Sequence, residues 1–259
     1  MKLITPLALL LALQLCAPAA QVKKAAAKTA PPPAAEPKVK NASARTIVCI
    51  DPGHPSEVAS GKNIQNGTSE TRTNWAVATK LRDELEARGY EVVMTKASED
   101  ELVRNKERAL VANRARASLM IRLHCDASAE RGFAVYYPDR AGRAKDGTKG
   151  PDAEVIEESR RAAEAVHSGL VEGLSDALND NGIRTDFQTK VGRDQGGALT
   201  GSIFSEVPVV TIEMVVLSDD SDAQFIKTEE GQRRMAEAIA KGVERYVAPS
   251  KAVQPRKEE

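Results

Sequence analysis

The sequence predicts an α/β fold, a central and mostly parallel sheet of about six strands with helices on both faces. Two observations carry this. Short apolar runs that stop at turn residues alternate with longer segments whose apolar residues recur at helical spacing, and the strand, helix, strand order has the length of a parallel crossover. Ile47 to Ile50 is the first such run, stopped by Asp51-Pro52-Gly53. Its lack of polar residues points to burial on both faces. Trp75, Ala78, Leu81 and Leu85 follow at helical spacing, with Gly89 as the C-terminal stop, and Tyr90 to Thr95 reads as a second strand. A helix from about Arg104 to Ala117 leads to a strand from Leu119 to His124 whose only interior polar residue is Arg122. Gly132 to Tyr137 is a further strand. After a polar stretch from Pro138 to Glu158 comes a long helix with Val166, Leu170, Leu174 and Ala177 on its buried face, ended by Asn181-Gly182. Pro208 to Met214 is another strand and Glu229 to Tyr246 a final helix. No internal repeat is visible.

Composition narrows the function. Lys and Arg number 37 and Asp and Glu 37, so no excess charge argues for nucleic acid or an anionic membrane surface as a partner. Residues 1–20 read as an export signal: Lys2 begins it, Leu7 to Leu15 is its apolar run, and Ala17-Pro18-Ala19 is a small-x-small cleavage site. That run is too short to span a bilayer, so no membrane insertion of the mature form is expected. Cys16 is preceded by the bulky Leu15, which argues against a lipid attachment site. Residues 21–44 are Ala, Lys and Pro with few large apolar side chains and are expected to be a solvated tether. Residues 45–247 form one domain with a sizeable core, and 248–259 a polar tail. The remaining cysteines, Cys49 and Cys125, are read as buried thiols rather than a disulfide.

The candidates for chemistry lie where ligands collect in such folds, at the carboxyl ends of strands. His54 follows the first strand and its Asp51-Pro52-Gly53 turn, His124 ends the third, and Glu213 sits near the end of a later one within Val209-Val210-Thr211-Ile212-Glu213-Met214. Glu70 opens a helix after Asn66-Gly67-Thr68-Ser69. Each has a plainer reading. His54 is equally a loop histidine and His124 a core histidine, Glu70 suits the first turn of a helix whatever its role, and Glu213 suits a strand mouth open to solvent. The case for a site is their shared edge. Two imidazoles and a carboxylate also make a donor set for zinc that leaves a fourth position open for water, as hydrolytic sites do. Arg122 shares a face with His124 and needs an anionic partner or a polar cavity; a structural ion pair, with Asp51 or Asp126 as partner, is preferred over a catalytic role. His167, on the flank of a helix, is given no chemistry.

At these residues the chain resembles the zinc-dependent N-acetylmuramoyl-L-alanine amidases of the amidase 3 type. The resemblance rests on Ile50-Asp51-Pro52-Gly53-His54, Glu70 before Asn74, Arg108 with Ala112-Asn113, His124-Cys125-Asp126-Ala127, and Pro208 to Glu213 followed by Leu217-Ser218. It covers about Thr46 to Tyr246. It implies Zn²⁺ held by His54, Glu70 and His124, Glu213 as the catalytic glutamate, and cleavage of the amide between the lactyl group of N-acetylmuramic acid and the first L-alanine of the peptidoglycan stem. The expected partner is therefore peptidoglycan, and the expected location periplasmic or extracellular, at the cell wall. Val215-Val216 stands where the family usually has Gly-Phe, Arg122 where a small hydroxyl residue is common, and Cys125 where a small residue such as Ala is usual. These departures bear on substrate fit more than on metal binding.

Two other readings share these residues: a zinc peptidase acting within stem peptides, and a wall-binding regulator with a decayed site. The long polar stretch from Pro138 to Glu158 is read as a solvated loop; the resemblance implies the other possibility, a covering inhibitory helix in which Glu154, Glu157 or Glu158 reaches the metal.

Overall fold

In the computed structural model, residues 46–126 and 130–248 are described. The expected export signal, the tether, Ala127 and the tail beyond Ala248 lie outside them.

The chain begins with β1 (Ile47–Pro52), which leads through a long loop to α1 (Glu70–Ala87) and then β2 (Glu91–Met94). Ser69 caps α1, its hydroxyl accepting from the Arg72 backbone N–H at 3.4 Å. Gly89, in the left-handed region at φ +89°, ends it as expected. α2 (Asn105–Ala115) precedes β3 (Leu119–Asp126) and β4 (Phe133–Tyr137). A small hairpin of β5 (Gly142–Arg143) and β6 (Lys149–Gly150) follows. Next come α3 (Ala153–Leu174), β7 (Asp180–Thr185), a 3₁₀ turn at Asp186–Gln188, α4 (Lys190–Asp194), α5 (Thr200–Ile203), β8 (Val209–Val216), α6 (Asp220–Lys227) and α7 (Glu229–Val247).

The main sheet has 6 strands in the order β2-β1-β3-β8-β4-β7. β2, β1, β3 and β8 are mutually parallel, while β4 runs antiparallel to β8 and carries β7 parallel to itself. Burial alternates with the pleat. Ile50, Ile121, Leu123, Val135, Val210, Ile212 and Met214 meet α1, α3 and α7 in the main core. On the other face Cys49, Met120 and Val209 form a smaller cluster under α2. That second cluster gives way, toward the carboxyl ends of β1, β3 and β8, to Asp51, Arg122, His124, Thr211 and Glu213. Cys49 and Cys125 are both buried and are not joined in a disulfide.

Two expectations need correction. The long helix starts at Ala153, inside the stretch read as a loop, because Asp152 accepts from the Val155 N–H at 2.9 Å and the polar Glu and Arg residues that follow are good helix formers. It stops at Leu174, before Ala177. Asn181-Gly182, read as its stop, belongs instead to β7. Among the described residues this strand pairs only with β4, and an edge strand tolerates polar and turn-forming residues that a central one does not.

Candidate metal and hydrolytic site

The His54 loop is held from below by a buried ion cluster. Asp51 is fully buried at the end of β1, accepting from Arg108 Nη1 at 2.6 Å, Thr95 Oγ1 at 2.5 Å and Arg122 Nε at 3.0 Å. Burial alone would raise its pKa, but the two guanidinium charges and the Thr95 hydroxyl outweigh that and hold the carboxyl well below the usual carboxylate range. Arg108 also donates to the carbonyls of Pro52 at 2.7 Å and Pro55 at 2.8 Å, on either side of His54. Lys96 Nζ donates to the His54 carbonyl and, at 2.9 Å, to that of Glu99. Burial and the nearby Arg108 charge depress the Lys96 pKa to about 8. The loop is thus fixed by two buried side chains from outside it, Arg108 and Lys96, and His54 adopts a left-handed conformation at φ 54°.

His54, Glu70 and His124 meet, each offering a ligand atom with all three atoms within 4.8 Å of one another. His54 Nε2 lies 3.4 Å from Glu70 Oε2, and His124 Nδ1 lies 3.0 Å from Glu70 Oε1. The His54 Nδ1–H donates to the Ala59 carbonyl at 3.1 Å, which leaves Nε2 as the lone-pair nitrogen facing the carboxylate. The His124 ring lies directly on the backbone of Gly53, where a Cβ would come within 2.4 Å of its Cε1. Only glycine admits the ring there. Asn74 joins the His54 loop to the end of β3 from inside α1, donating to the Gly53 carbonyl at 3.2 Å and accepting from Cys125 Sγ at 3.5 Å.

The electrostatics favour the protonation states that bind a metal. Burial first, and then His124, lower the His54 pKa from its ordinary value, so the imidazole is neutral at pH 7. Burial would raise that of Glu70, but the hydrogen bond and charge of His124, with further help from His54 and the Cys125 N–H, bring it below its ordinary value. A neutral imidazole beside a charged carboxylate is the donor set that Zn²⁺ prefers.

Glu213 sits beside this group. Parallel register pairs it with His124 on β3, and antiparallel register pairs it with Ala134 on β4. The sequence expectation that four groups from separate segments share one edge of the sheet therefore matches the geometry. His54, His124 and Glu213 line one cavity of about 560 Å³ together with Arg122, Tyr136 and Arg184. The Arg122 ion pair is with Asp51, one of its two expected partners. Glu154, Glu157 and Glu158 do not line this cavity. Glu157 pairs with Arg160, and Glu158 with Arg161 and Tyr246, so the covering-segment possibility finds no support in their placement. The stretch before them instead supports the cavity wall from behind, with Ala144 packed on Ala198 and Ile203. What sequence reasoning missed is that wall itself. Arg184 on β7, Thr189 to Val191 at α4 and Leu199 to Gly201 at α5 come from the segment between Asn181-Gly182 and Pro208, to which the sequence pattern assigns no element.

A family model described as N-acetylmuramoyl-L-alanine amidase (Amidase_3) matches residues 48–245. The chain belongs to this amidase family. Among curated relatives of this amidase domain, the N-acetylmuramoyl-L-alanine amidase AmiC of Neisseria meningitidis serogroup B is 25% identical over 232 residues, 80% of this chain and 54% of that protein. The chain thus spans about half the length of that relative. The N-acetylmuramoyl-L-alanine amidase Rv3717 of Mycobacterium tuberculosis is 25% identical over 244 residues, 83% of this chain and 94% of that one. Among solved structures, the N-acetylmuramoyl-L-alanine amidase AmiC2 of Nostoc punctiforme matches with a TM-score of 0.63 at 22% identity, over 79% of this chain and 98% of that one. At that identity the likeness speaks for the fold.

Proposed function

We propose that this protein is a zinc-dependent peptidoglycan hydrolase that cleaves the amide between N-acetylmuramic acid and the L-alanine of the stem peptide. The observation that carries the reading is the meeting of His54, Glu70 and His124 within 4.8 Å, on the rim of a cavity that Glu213 also lines. The donor set fits zinc: two imidazoles, one with its second nitrogen already committed to a backbone carbonyl, and one charged carboxylate. Zinc held there would supply Lewis-acid chemistry, drawing charge from the scissile carbonyl oxygen and making water more acidic.

The chain's own groups do the rest. Glu213, next to His124 across the strand pair, accepts the proton of the attacking water and returns it to the departing nitrogen, so that the amine leaves uncharged. Asp51, Arg108 and Asn74 hold the His54 loop against the end of β3 and are positioning residues. The walls from β7, α4 and α5 hold the peptide against the reacting edge and exclude bulk water. Membership of the amidase family and the export signal expected from residues 1–20 support action at the cell wall, outside the cytoplasm.

The test is digestion of isolated sacculi by the purified zinc-loaded protein, with the newly exposed amino termini identified. New L-alanine termini and glycan strands stripped of peptide are expected. New termini from any other stem residue would replace this reading with the peptidase one, and zinc loading without any hydrolysis would replace it with the regulator.

A further inference from the structure

Arg122 has binding capacity that the ion cluster does not use. Its side chain is 5% exposed and lies on the cavity wall. It precedes His124 by two residues on the same face of β3, about 7 Å along the strand. Nε donates to Asp51 Oδ2 at 3.0 Å and Nη2 to Asn105 Oδ1 at 3.1 Å. Nη1 has no hydrogen-bond partner among the described residues. Asp51 cannot neutralise the group by itself, since it also serves Arg108 at 2.6 Å. Two buried guanidiniums share that one carboxylate, and an under-compensated buried cation is costly unless something anionic reaches it. Asp186 is buried nearby, and burial raises its pKa against the opposing charge of Arg122. The other cations on the wall are paired, Arg184 with Glu130 at 2.6 Å and Lys190 with Asp194.

The surroundings hold the guanidinium in place. A Cβ on Gly201 would lie 2.7 Å from Arg122 Cζ and 2.8 Å from Nη1, so the group is pressed on the bare backbone of α5. Gly201 lines the same cavity, and a side chain there would fill the space beside Nη1. A planar donor fixed on two sides, with its remaining N–H groups beside an open cavity, suits a carboxylate.

We infer that Arg122 binds a carboxylate on the peptide part of the substrate, about two residues inward from the scissile amide. The identity of the ligand rests on the amidase reading proposed above. In a stem whose second residue is a γ-linked glutamate, the free α-carboxylate is the group at that reach. The subsite therefore separates stems carrying this carboxylate from stems in which it is a carboxamide.

The experiment titrates the zinc-loaded full chain calorimetrically with L-Ala-γ-D-Glu-L-Lys and with the same peptide carrying an α-carboxamide on its glutamate. The two ligands share every other group, including any that the metal attracts. The wild-type protein should bind the carboxylate form about 10- to 100-fold more tightly, the range for a hydrogen bond between charged groups. Arg122→Gln should bring the two affinities together, and Arg122→Lys should leave an intermediate preference, since a lysine keeps the charge without the fork. Gly201→Ala, which displaces the guanidinium without removing it, should narrow the gap as well. If Arg122→Gln does not fold, the wild-type comparison and Gly201→Ala decide the matter. Equal wild-type affinities, no measurable binding of the carboxylate peptide, or a preference that survives both Arg122→Gln and Gly201→Ala would overturn the inference. Sacculus digestion is scored separately: carboxylate preference without hydrolysis keeps the subsite and removes the amidase reading, and hydrolysis without preference does the reverse.

Discussion

At the scale of single residues, the site separates groups that react from groups that position. In the mechanism proposed above Glu213 belongs to the first kind, and Glu213→Gln keeps its shape while removing its basicity. Zinc content, measured by atomic absorption, should stay at the wild-type level while turnover on sacculi falls by about 10²- to 10⁴-fold. Loss of zinc from this variant would make Glu213 a ligand and reverse the roles of the two glutamates. Asp51 belongs to the second kind. Asp51→Asn leaves Arg108 and Arg122 buried without their shared carboxylate, and breaking such a pair costs about 3 to 5 kcal/mol, read from urea denaturation. Acid has a related effect. Because the folded state holds the Asp51 pKa below its unfolded value of about 4, the carboxylate's contribution is complete above that value and is lost as pH falls toward the folded one. The urea midpoint of the wild type should therefore drop more steeply below about pH 4 than that of Asp51→Asn. Parallel curves would mean that other carboxylates dominate acid unfolding.

At the scale of elements, the strands carry the reacting groups and the helices fix where the strands begin. β3 alternates Ile121, Leu123 and Cys125 toward the main core with Arg122 and His124 toward the site, so the pleat alone puts cation and ligand on one wall. β8 is anchored at its first residue, where the Ser159 hydroxyl of α3 accepts from the Val209 N–H at 2.9 Å in a buried setting. That bond helps set the register that brings Glu213 level with His124. Ser159→Ala strands a buried N–H and should cost about 1 to 3 kcal/mol in urea denaturation. Zinc content should be unchanged, since no ligand is carried by either element. A variant as stable as the wild type would show that water or a backbone shift satisfies Val209 instead.

At the scale of the whole molecule, the proposed metal group draws on three separated parts of the chain: the loop after β1, the start of α1 and the end of β3. An ion that binds only the folded arrangement stabilises it by mass action, about 2.7 kcal/mol when free zinc is 100-fold above its dissociation constant. For a domain near 200 residues that corresponds to roughly 5 to 10 °C in Tm. Chelation of zinc should lower the Tm of the wild type by about this amount, and His54→Ala, already lacking a ligand, should not respond. An equal response in that variant would place the stabilising ion elsewhere.

The sequence by itself determined the layers and the residue types of the candidate site. Strands that are apolar throughout, such as Ile47 to Ile50, must be buried on both faces, and a period of 3.6 between them must be helix, because both patterns are local consequences of burying apolar surface. The residue types at strand ends were legible for the same reason: His54, His124 and Glu213 each interrupt or terminate an apolar run. What only the tertiary structure decided depends on pairing between distant segments. Nothing local says that β8 inserts between β3 and β4, yet that order is what sets Glu213 beside His124. Nor does any pattern mark Asp180 to Thr185 as a strand, because an edge position imposes no burial on its residues, and the wall it begins is built from polar sequence. Arg108 reads as one more charge on a helix, and becomes a buried clamp on the His54 loop only because the fold brings Asp51, Pro52 and Pro55 to it. Polar contacts of that kind carry no periodicity, so their partners are set by the packing of the sheet rather than by the order of residues.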